Sequence, residues 1–404
     1  MKKFIFILLF LSVQVPIMAE KQLPYKNPTG REFPILAWYS MVSDSNLTRQ
    51  RFMELRNAGF NLSFSHTYSN ADLEKAFKAS RGTGVKIVAM CSELETKTAE
   101  TVKRYRKEPT LAVWFLRDEP VATQFADLRG FRDRIYAADK NHLMYLNLLP
   151  NMVAPKDLGT ASYDEYVDRF ADEINLPMIS YDQYPVMDDG KNIFLRGEFY
   201  GNLESARRTS LRRGCPFWAF CLSTAHVFYP IPTTEHLRIE AFSALAYGAQ
   251  CIQYFTYWTP PTDSWDFHDA PIDAKGRRTE VYYRVKSVNY EIQSQARVFL
   301  GAVATEVGHT GKQIPIGTQP YKALPASFKD LTTDGEGLLV SNLKNGRSKY
   351  LMIVNRDLKH TQNVSLGIVK KVSRILKDGR SVRVKAGSTE RHRLLPGDYL
   401  IYQL

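Results

Sequence analysis

Cysteine is scarce in this sequence, with four residues in 404. This number excludes a small fold held by disulfides, because such scaffolds are short and dense in cysteine. Cys91, Cys215, Cys221 and Cys251 all lie in apolar runs, where cysteine usually behaves as a small buried hydrophobic residue. Cys215 and Cys251 begin consecutive predicted strands, so a disulfide between them stays open for an exported protein. No cysteine or histidine spacing indicates zinc, and we predict neither a metal nor a cofactor.

Three further patterns are missing from the sequence. Although the formal net charge is +12, no basic run is interleaved with aromatic residues, so we predict no nucleic-acid partner. No glycine-rich loop follows the first predicted strand, and after residue 19 no apolar run is long enough to cross a membrane. The positive charge then has two possible explanations. It comes from ordinary surface lysine and arginine residues without a specific role, or it creates a field that attracts an anionic polysaccharide.

The N-terminus has the pattern of a secretory signal peptide. Met1-Lys2-Lys3 is positively charged, residues 4–11 form a short apolar run, and Ala19 is a small residue suited to the cleavage site. We therefore predict a signal peptide over residues 1–19. The mature protein is expected to be periplasmic or secreted and to begin near Glu20.

Residues 20–300 contain eight strand-like runs that alternate with helical patterns. Eight such units predict an α/β protein with a closed (β/α)₈ TIM barrel, and a doubly wound open sheet is the alternative. The predicted strands are 33–39, 61–64, 85–90, 111–116, 143–148, 178–181, 216–221 and 252–257. The predicted helices are 48–58, 71–80, 98–106, 125–138, 163–173, 201–213, 234–247 and 281–299.

The pattern changes over residues 301–404. Short β-rich runs are separated there by turn signals such as Asn345-Gly346 and Asp378-Gly379. These features predict a C-terminal all-β domain, which we expect to be a small β-sandwich packed on the barrel.

The stretch 112–120 ends a predicted strand in two carboxylates and a proline. Its apolar run suits a parallel strand buried on both faces, and Pro120 cannot continue the ladder. Barrel enzymes handle ligands at the carboxyl ends of their strands, so Asp118 and Glu119 stand where chemistry is expected. The alternative is that both carboxylates cap the following turn and pair with Arg117.

Aromatic rings, carboxylates and amides also follow the other predicted strands. Such a surface suits a sugar, because pyranose rings stack on aromatic faces while hydroxyl groups hydrogen-bond to acids and amides. Trp114 and Trp218 lie inside strands and are predicted to belong to the core. The predicted substrate-binding residues are Trp38, Tyr39, His66, Glu93, Asp118, Asn147, Tyr184, His226, Tyr257, Trp258 and Trp265.

With these motifs the chain resembles the clan A (β/α)₈ glycoside hydrolases, including exported bacterial glycosidases that carry a small β-sandwich after the barrel. In that clan the fourth strand commonly ends in Asn-Glu-Pro, whose glutamate is the general acid/base, so the resemblance implies this role for Glu119. The clan's tryptophan at the end of strand eight, the floor of the subsite of the cleaved sugar, matches Trp258. One feature departs from the resemblance, because residues 217–224 contain no carboxylate where retaining members carry a nucleophile. The nearest one, Glu235, is predicted to lie in the first turn of the next helix.

The resemblance implies a glycoside hydrolase that acts on a poly- or oligosaccharide. A glycosidase needs a proton donor and a second carboxylate that acts as base or nucleophile. We predict Glu119 as the acid and Asp182 as the second carboxylate, with Glu93 in reserve. A separation of about 6.5 to 9.5 Å between the two carboxyl groups would make the reaction inverting. The alternative function is a catalytically inactive carbohydrate-binding barrel, which the missing strand-seven carboxylate favours.

Overall fold

The computed structural model describes residues 20–263 and 265–404, so the predicted signal peptide lies outside the described residues. Eight parallel strands of the first 300 residues form a single sheet in the order β5-β4-β3-β2-β1-β8-β7-β6. Their bounds are β1 Ile35–Trp38, β2 Leu62–Phe64, β3 Lys86–Ala89, β4 Leu111–Asp118, β5 Leu143–Asn147, β6 Ile179–Tyr181, β7 Phe217–Leu222 and β8 Ile252–Phe255. A short hairpin that the sequence did not predict, Val186–Asp188 and Ile193–Leu195, follows β6.

The sheet closes between β5 and β6. The backbone N–H of Leu148 donates to the carbonyl of Ser180 at 2.8 Å, and the N–H of Asp182 donates to the carbonyl of Leu148 at 3.3 Å. These two bonds convert the eight-stranded sheet into a barrel. The prediction of a closed (β/α)₈ barrel is confirmed.

Helices surround the barrel, and their caps follow ordinary sequence signals. Ser69 accepts from the backbone N–H of Asp72 and caps the second helix, which begins at Asn70, one residue before the predicted start at 71. The helices are α1 Arg49–Asn57, α2 Asn70–Ser80, α3 Ser92–Thr96, α4 Thr98–Tyr105, α5 Phe125–Ala138, α6 Pro155–Leu158, α7 Tyr163–Arg169, α8 Phe199–Arg213, α9 Thr234–Ala246, α10 Glu280–Ser294 and α11 Ala296–Phe299. A π-helical turn, Phe170–Ile174, extends α7, and 3₁₀ turns span Asp44–Asn46 and Ala122–Gln124.

Two apolar layers follow from the alternation of side chains along the strands. In β8, Gln253 faces the barrel interior and accepts a hydrogen bond from the Tyr145 hydroxyl at 2.6 Å. Its neighbours Ile252 and Tyr254 point to the outer layer, against the helices. Trp218 fills the interior and Trp114 the outer layer, and both are fully buried, as predicted.

The C-terminal region forms two antiparallel sheets. A six-stranded sheet has the order β9-β11-β12-β17-β14-β15, and a three-stranded sheet has the order β10-β13-β16. One face of the larger sheet packs on the smaller sheet through residues such as Val340 and Ile353, and the other packs on the barrel through residues such as Leu339 and Met352. This arrangement confirms the predicted sandwich on the barrel. The strands are β9 Val303–His309, β10 Phe328–Thr333, β11 Leu338–Asn345, β12 Ser348–Asn355, β13 Gln362–Ile368, β14 Val372–Ile375, β15 Ser381–Val384, β16 Thr389–Leu394 and β17 Tyr399–Gln403.

The four cysteines are buried and free, so Cys215 and Cys251 do not form the disulfide that the sequence left open. In the part of the chain that the structure describes, no helix has the length and apolar character needed to cross a membrane.

Candidate active site

Four strained backbone positions mark the carboxyl-end face of the barrel. Tyr39, Glu119, Val227 and Asp269 have φ angles of 52°, 46°, 49° and 51°, and they lie in the loops that follow β1, β4, β7 and β8. Residues other than glycine rarely adopt this conformation, because the side chain crowds the backbone. Such positions persist where the surrounding structure enforces them, and they cluster at active sites. This face of the barrel is therefore the candidate functional face.

Three carboxyl groups converge there on one amide. The Nδ2 of Asn147, at the end of β5, donates to Asp118 Oδ1 at 3.3 Å and to Asp182 Oδ1 at 3.1 Å. The Asn147 Oδ1 accepts from the Ser180 hydroxyl at 2.9 Å, which fixes the orientation of the amide. The backbone N–H of Glu119 donates to the Asn147 carbonyl at 2.8 Å and places the third carboxyl beside the other two. We call Asp118, Glu119 and Asp182 the acidic cluster.

The acidic cluster retains protons more readily than isolated carboxyl groups do. Asp118 and Glu119 reach solvent at the barrel mouth, yet the surrounding protein removes much of their hydration. Burial, followed by the negative charge of Glu119, raises the pKa of Asp118 to about 7. Burial also raises the pKa of Glu119, and burial together with the charges of its two neighbours raises the pKa of Asp182. A proton donor is therefore present in the cluster near neutral pH.

The position of Asp182 corrects one expectation. Its carboxyl group lies within hydrogen-bonding reach of the Glu119 carboxyl, so the protonation of each group affects the pKa of the other. Paired glycosidase carboxylates stand about 5 to 9.5 Å apart, because the anomeric carbon or a water must fit between them. No such space exists here. Asp182 is placed to exchange a proton with Glu119, and it is not placed as the opposing base or nucleophile.

A cavity of about 400 Å³ opens beside Asp118. It brings together three predicted residues, Trp38, His66 and Asp118, and adds Tyr68, which the sequence did not single out. Burial lowers the pKa of His66 to about 4, so its imidazole is neutral at pH 7. The His66 ring packs 5.2 Å from Tyr39, and its buried Nδ1 has no hydrogen-bond partner within the described residues.

The opposite side of the mouth is aromatic. Tyr184 stacks on Phe255, the last residue of β8, at 5.5 Å. His226 is buried and contacts Phe267 at 4.7 Å and the half-exposed Trp265 at 5.4 Å. Burial lowers the pKa of His226, so this ring also favours its neutral form. We call the set the aromatic wall, and it comprises Tyr184, His226, Tyr229, Phe255, Trp265 and Phe267.

Two predicted sugar platforms lie away from this wall. Tyr257 is buried in the outer layer, 5.4 Å from Phe60, and Trp258 is only 2% exposed. The guanidinium of Arg51 covers the Trp258 ring at 5.0 Å. The predictions for Tyr257 and Trp258 are wrong, because β8 ends two residues earlier than predicted and Phe255 takes the position that faces the mouth.

Glu93 is also a structural residue. It lies in the first turn of α3, and its carboxylate accepts from the backbone N–H of Asn70 at 3.2 Å, at the start of α2. This contact ties two helix ends together and satisfies an N–H that has no partner within its own helix. The structure does not join Glu93 to the acidic cluster.

The loop after β8 is acidic but is not arranged around an ion. Asp266 Oδ1 accepts from the backbone N–H of Val227 at 2.7 Å and ties this loop to the one after β7. His268 Nδ1 contacts Asp269 at 2.8 Å. Across residues 20–263 and 265–404, no group of three or more His, Cys, Asp or Glu side chains is positioned to hold a metal ion.

Comparison with known proteins assigns the barrel to a chemical class. Residues 149–295, which include β6 to β8 and the aromatic wall, match the family model of glycoside hydrolase family 42, described as beta-galactosidase. Over these residues the chain is similar to the clan A glycoside hydrolases. The match indicates an enzyme that hydrolyses glycosides. Among curated proteins no match is found.

Solved structures of family 42 beta-galactosidases share the fold of this chain. A catalytic mutant of a family 42 beta-galactosidase from G. stearothermophilus has a TM-score of 0.60 at 10% identity, over 95% of this chain and 100% of that one. The beta-galactosidase of Bacillus circulans has a TM-score of 0.60 at 9% identity, over 92% of this chain and 99% of that one. That of a Rahnella species has a TM-score of 0.55 at 11% identity, over 95% and 100%. Identities this low establish the shared fold alone.

This hydrolase has a buried carboxyl next to β7, but it is structural. The backbone N–H of Leu222 donates to Glu240 Oε2 at 2.6 Å, because β6 ends before it reaches the level of Leu222. Glu240 is buried on α9 behind the strand, and burial raises its pKa to about 8. Glu235 lies in the first turn of α9, as predicted. Neither glutamate takes the place of the clan's strand-seven nucleophile.

Proposed function

We propose that the protein hydrolyses a glycosidic bond with Glu119 as the general acid. The observation that carries this proposal is the position of Glu119 beside Asp118 and Asp182, which Asn147 holds together at the mouth of a glycoside hydrolase-like barrel. A general acid must be protonated at the working pH and must reach the leaving oxygen. The raised pKa of Glu119 favours its protonated form, and its side chain reaches solvent.

Asp182 supports the acid in this mechanism. When Glu119 gives its proton to the leaving oxygen, a negative charge develops on its carboxylate. A protonated Asp182 donates a hydrogen bond to that charge, and such charge-assisted bonds are the stronger ones. The Asn147 amide donates to both Asp118 and Asp182 and so holds Asp182 in position beside Glu119.

The substrate that fits best is a neutral sugar ring. Three carboxyl groups would repel an anionic ring at the reacting carbon, so the positive charge of the protein acts elsewhere if it acts on glycans. The aromatic wall offers rings for stacking on a sugar ring. Beta-galactosides are the first substrates to test, because the family model that matches residues 149–295 is described by that activity.

The test compares the wild type with Glu119→Gln on two kinds of glycoside. A nitrophenyl beta-galactoside has a leaving group that departs without protonation, whereas an oligosaccharide needs the acid. We expect Glu119→Gln to lose at least about 10²-fold in kcat/KM on the oligosaccharide and much less on the nitrophenyl glycoside. Glu93→Gln is the matched control, since it alters a carboxylate outside the acidic cluster.

Two results would overturn the assignment. The first is an oligosaccharide rate that Glu119→Gln leaves unchanged. The second is a wild type that binds glycans but releases no sugar from any member of a broad neutral panel. That outcome would establish a carbohydrate-binding protein in place of an enzyme.

We also propose that the protein is exported, on the strength of the charged, apolar and small-residue pattern in residues 1–19. Expression of the full chain followed by cell fractionation and N-terminal sequencing tests this. We expect mature protein outside the cytoplasm that begins near Glu20. Intact chain found only in the cytoplasm would contradict it.

A further inference from the structure

The outer face of α10 carries two exposed tyrosines. Tyr283 and Tyr290 are each 51% exposed. They are seven residues apart, which is close to two helical turns, so both rings lie on one face with a rise of about 10.5 Å between them. A pair of exposed aromatic rings on one face of a helix is unusual for a surface that contacts only water.

The two rings border a groove of about 520 Å³ between α10 and the turn at Lys377 and Asp378. The turn packs tightly on the end of the helix, because a Cβ on Gly379 would lie 2.2 Å from the Ser294 carbonyl oxygen. The wall opposite the rings is therefore fixed in place. Since the turn joins two strands of the C-terminal sandwich, the groove uses both parts of the chain.

The Tyr283 ring is held from behind. It packs edge-on against Tyr282 at 5.3 Å, and the Tyr282 hydroxyl donates to the carbonyl of Glu54 at 3.0 Å. At the other ring, the Lys286 amine lies 5.6 Å from the centroid of Tyr290. A supported ring loses little conformational entropy when a ligand stacks on it.

The groove lining is mostly apolar, and its charged groups are largely paired within the protein. Glu291 pairs with Arg238, Lys377 with Asp398 at 2.5 Å, and Asp378 with Arg380 at 2.6 Å. These pairs leave no cluster of one charge for an ion to recognise. Lys286 and Ser287 lie between the two rings and supply polar groups for the hydroxyl groups of a neutral ligand.

We propose that this groove is a second glycan-binding site that holds a neutral polysaccharide chain along α10. A ring-to-ring rise longer than one pyranose lets Tyr283 and Tyr290 stack on different sugars of one chain, while Lys286 and Ser287 bind the hydroxyl groups between them. Because α10 follows β8, its first turn lies on the catalytic-face side of the barrel, and the bound chain runs toward the mouth. The proposal rests on the proposed function in one respect, that the substrate is a glycan.

Affinity gel electrophoresis tests this with soluble galactan, mannan and β-glucan as probes. The full chain with Glu119→Gln is compared with the same chain carrying Tyr283→Ala and Tyr290→Ala in addition. We expect at least one neutral polysaccharide to retard the first protein, and the tyrosine substitutions to weaken that binding at least tenfold. The tyrosine substitutions in the wild-type background should leave kcat/KM on a nitrophenyl glycoside within twofold, which also shows that the variant folds.

Tyr136→Ala is the matched control. Tyr136 lies on α5 beside Lys140, whose amine is 5.8 Å from the ring, so it copies the tyrosine and lysine pair without the groove. This control should bind polysaccharide like its parent.

The proposal is overturned if the tyrosine variant binds every polysaccharide as tightly as its parent, or if no polysaccharide retards the parent. It is also overturned if the variant changes a dimer into a monomer with glycan affinity unchanged. If the wild type does not hydrolyse the nitrophenyl glycoside, that result contradicts the proposed function and leaves the glycan-binding result unaffected. The two failures are therefore distinguishable.

Discussion

Asp139 anchors the strand that carries the acidic cluster, and its replacement by Asn should destabilise the protein measurably. The carboxylate lies at the end of α5 and is 3% exposed. The Trp114 Nε1, in the middle of β4, donates to it at 3.0 Å, and the His142 Nδ1 contacts it at 2.6 Å. The backbone N–H groups of Asn141 and His142 donate to its other oxygen.

The size of the effect follows from the pKa of this group. Burial alone would raise the pKa of Asp139, but the hydrogen bonds from His142, Trp114 and Asn141 outweigh it and lower the pKa from 3.8 to about 2. A lowering of this size corresponds to about 2 kcal/mol of folding free energy. Because the folded-state pKa is depressed, this stabilisation is complete above pH 4 to 5 and is lost as the pH falls toward 2.

Urea unfolding followed by tryptophan fluorescence, at pH values from 7 down to 2, checks the prediction. Asp139→Asn should be less stable than the wild type by about 2 kcal/mol at pH 7, and the difference should shrink steadily below pH 4. Asp127→Asn on the same helix alters an exposed side chain that forms no ion pair among the described residues, and it should cost less than about 0.5 kcal/mol. Two results would refute the reasoning. One is a urea midpoint of Asp139→Asn at pH 7 equal to that of the wild type. The other is a difference in unfolding free energy between the two proteins that is as large at the lowest pH as at pH 7.

Three further predictions concern the mouth and the sandwich. Asp182→Ala removes a hydrogen bond that lowers the pKa of Glu119, so the basic limb of the kcat/KM profile should move to higher pH; an unmoved limb would contradict the coupling. Phe255→Ala should lower kcat/KM at least tenfold, whereas Trp258→Phe should leave it within twofold, since the buried Trp258 Nε1 has no partner among the described residues. Gly379→Ala should lower the thermal midpoint more than Gly346→Ala, because a Cβ at the first site meets a carbonyl at 2.2 Å and at the second meets nothing within 4 Å.

The barrel could be predicted from the sequence because its signals are local. Each β/α unit can be recognised from a strand-like run, a segment of helical periodicity and a capping residue. Eight such units can form a closed sheet in only a few ways. The helix starts show the precision of such signals, since the second helix begins at Asn70 and α9 at Thr234, against predicted starts at 71 and 234. The membership of Asp118, Glu119 and Asp182 in one cluster was equally predictable, because all three follow strands of the same barrel.

The distances within the site could not be predicted in this way. The separation of Glu119 from Asp182 depends on the left-handed turn at Glu119 and on the closeness of β4, β5 and β6, which no single strand encodes. The aromatic wall depends on two loops joined by backbone hydrogen bonds between Ala225 and His268, which are 43 residues apart in sequence. Phe255 lies on the same inward side of β8 as Gln253 two residues earlier, but the sequence alone does not show which side of the strand faces inward.

The line along which the barrel closes runs directly beneath the acidic cluster. Backbone bonds at Leu148 join β5 to β6, and the Asn147 side chain spans the same gap from Ser180 to Asp182. Closure of the fold and the spacing of the carboxyl groups therefore depend on the same few atoms. A sugar that entered between Glu119 and Asp182 would strain the contacts between β5 and β6, and the barrel would have to widen there. The stiffness of the scaffold, and not only the shape of its mouth, would then decide which glycosides are admitted.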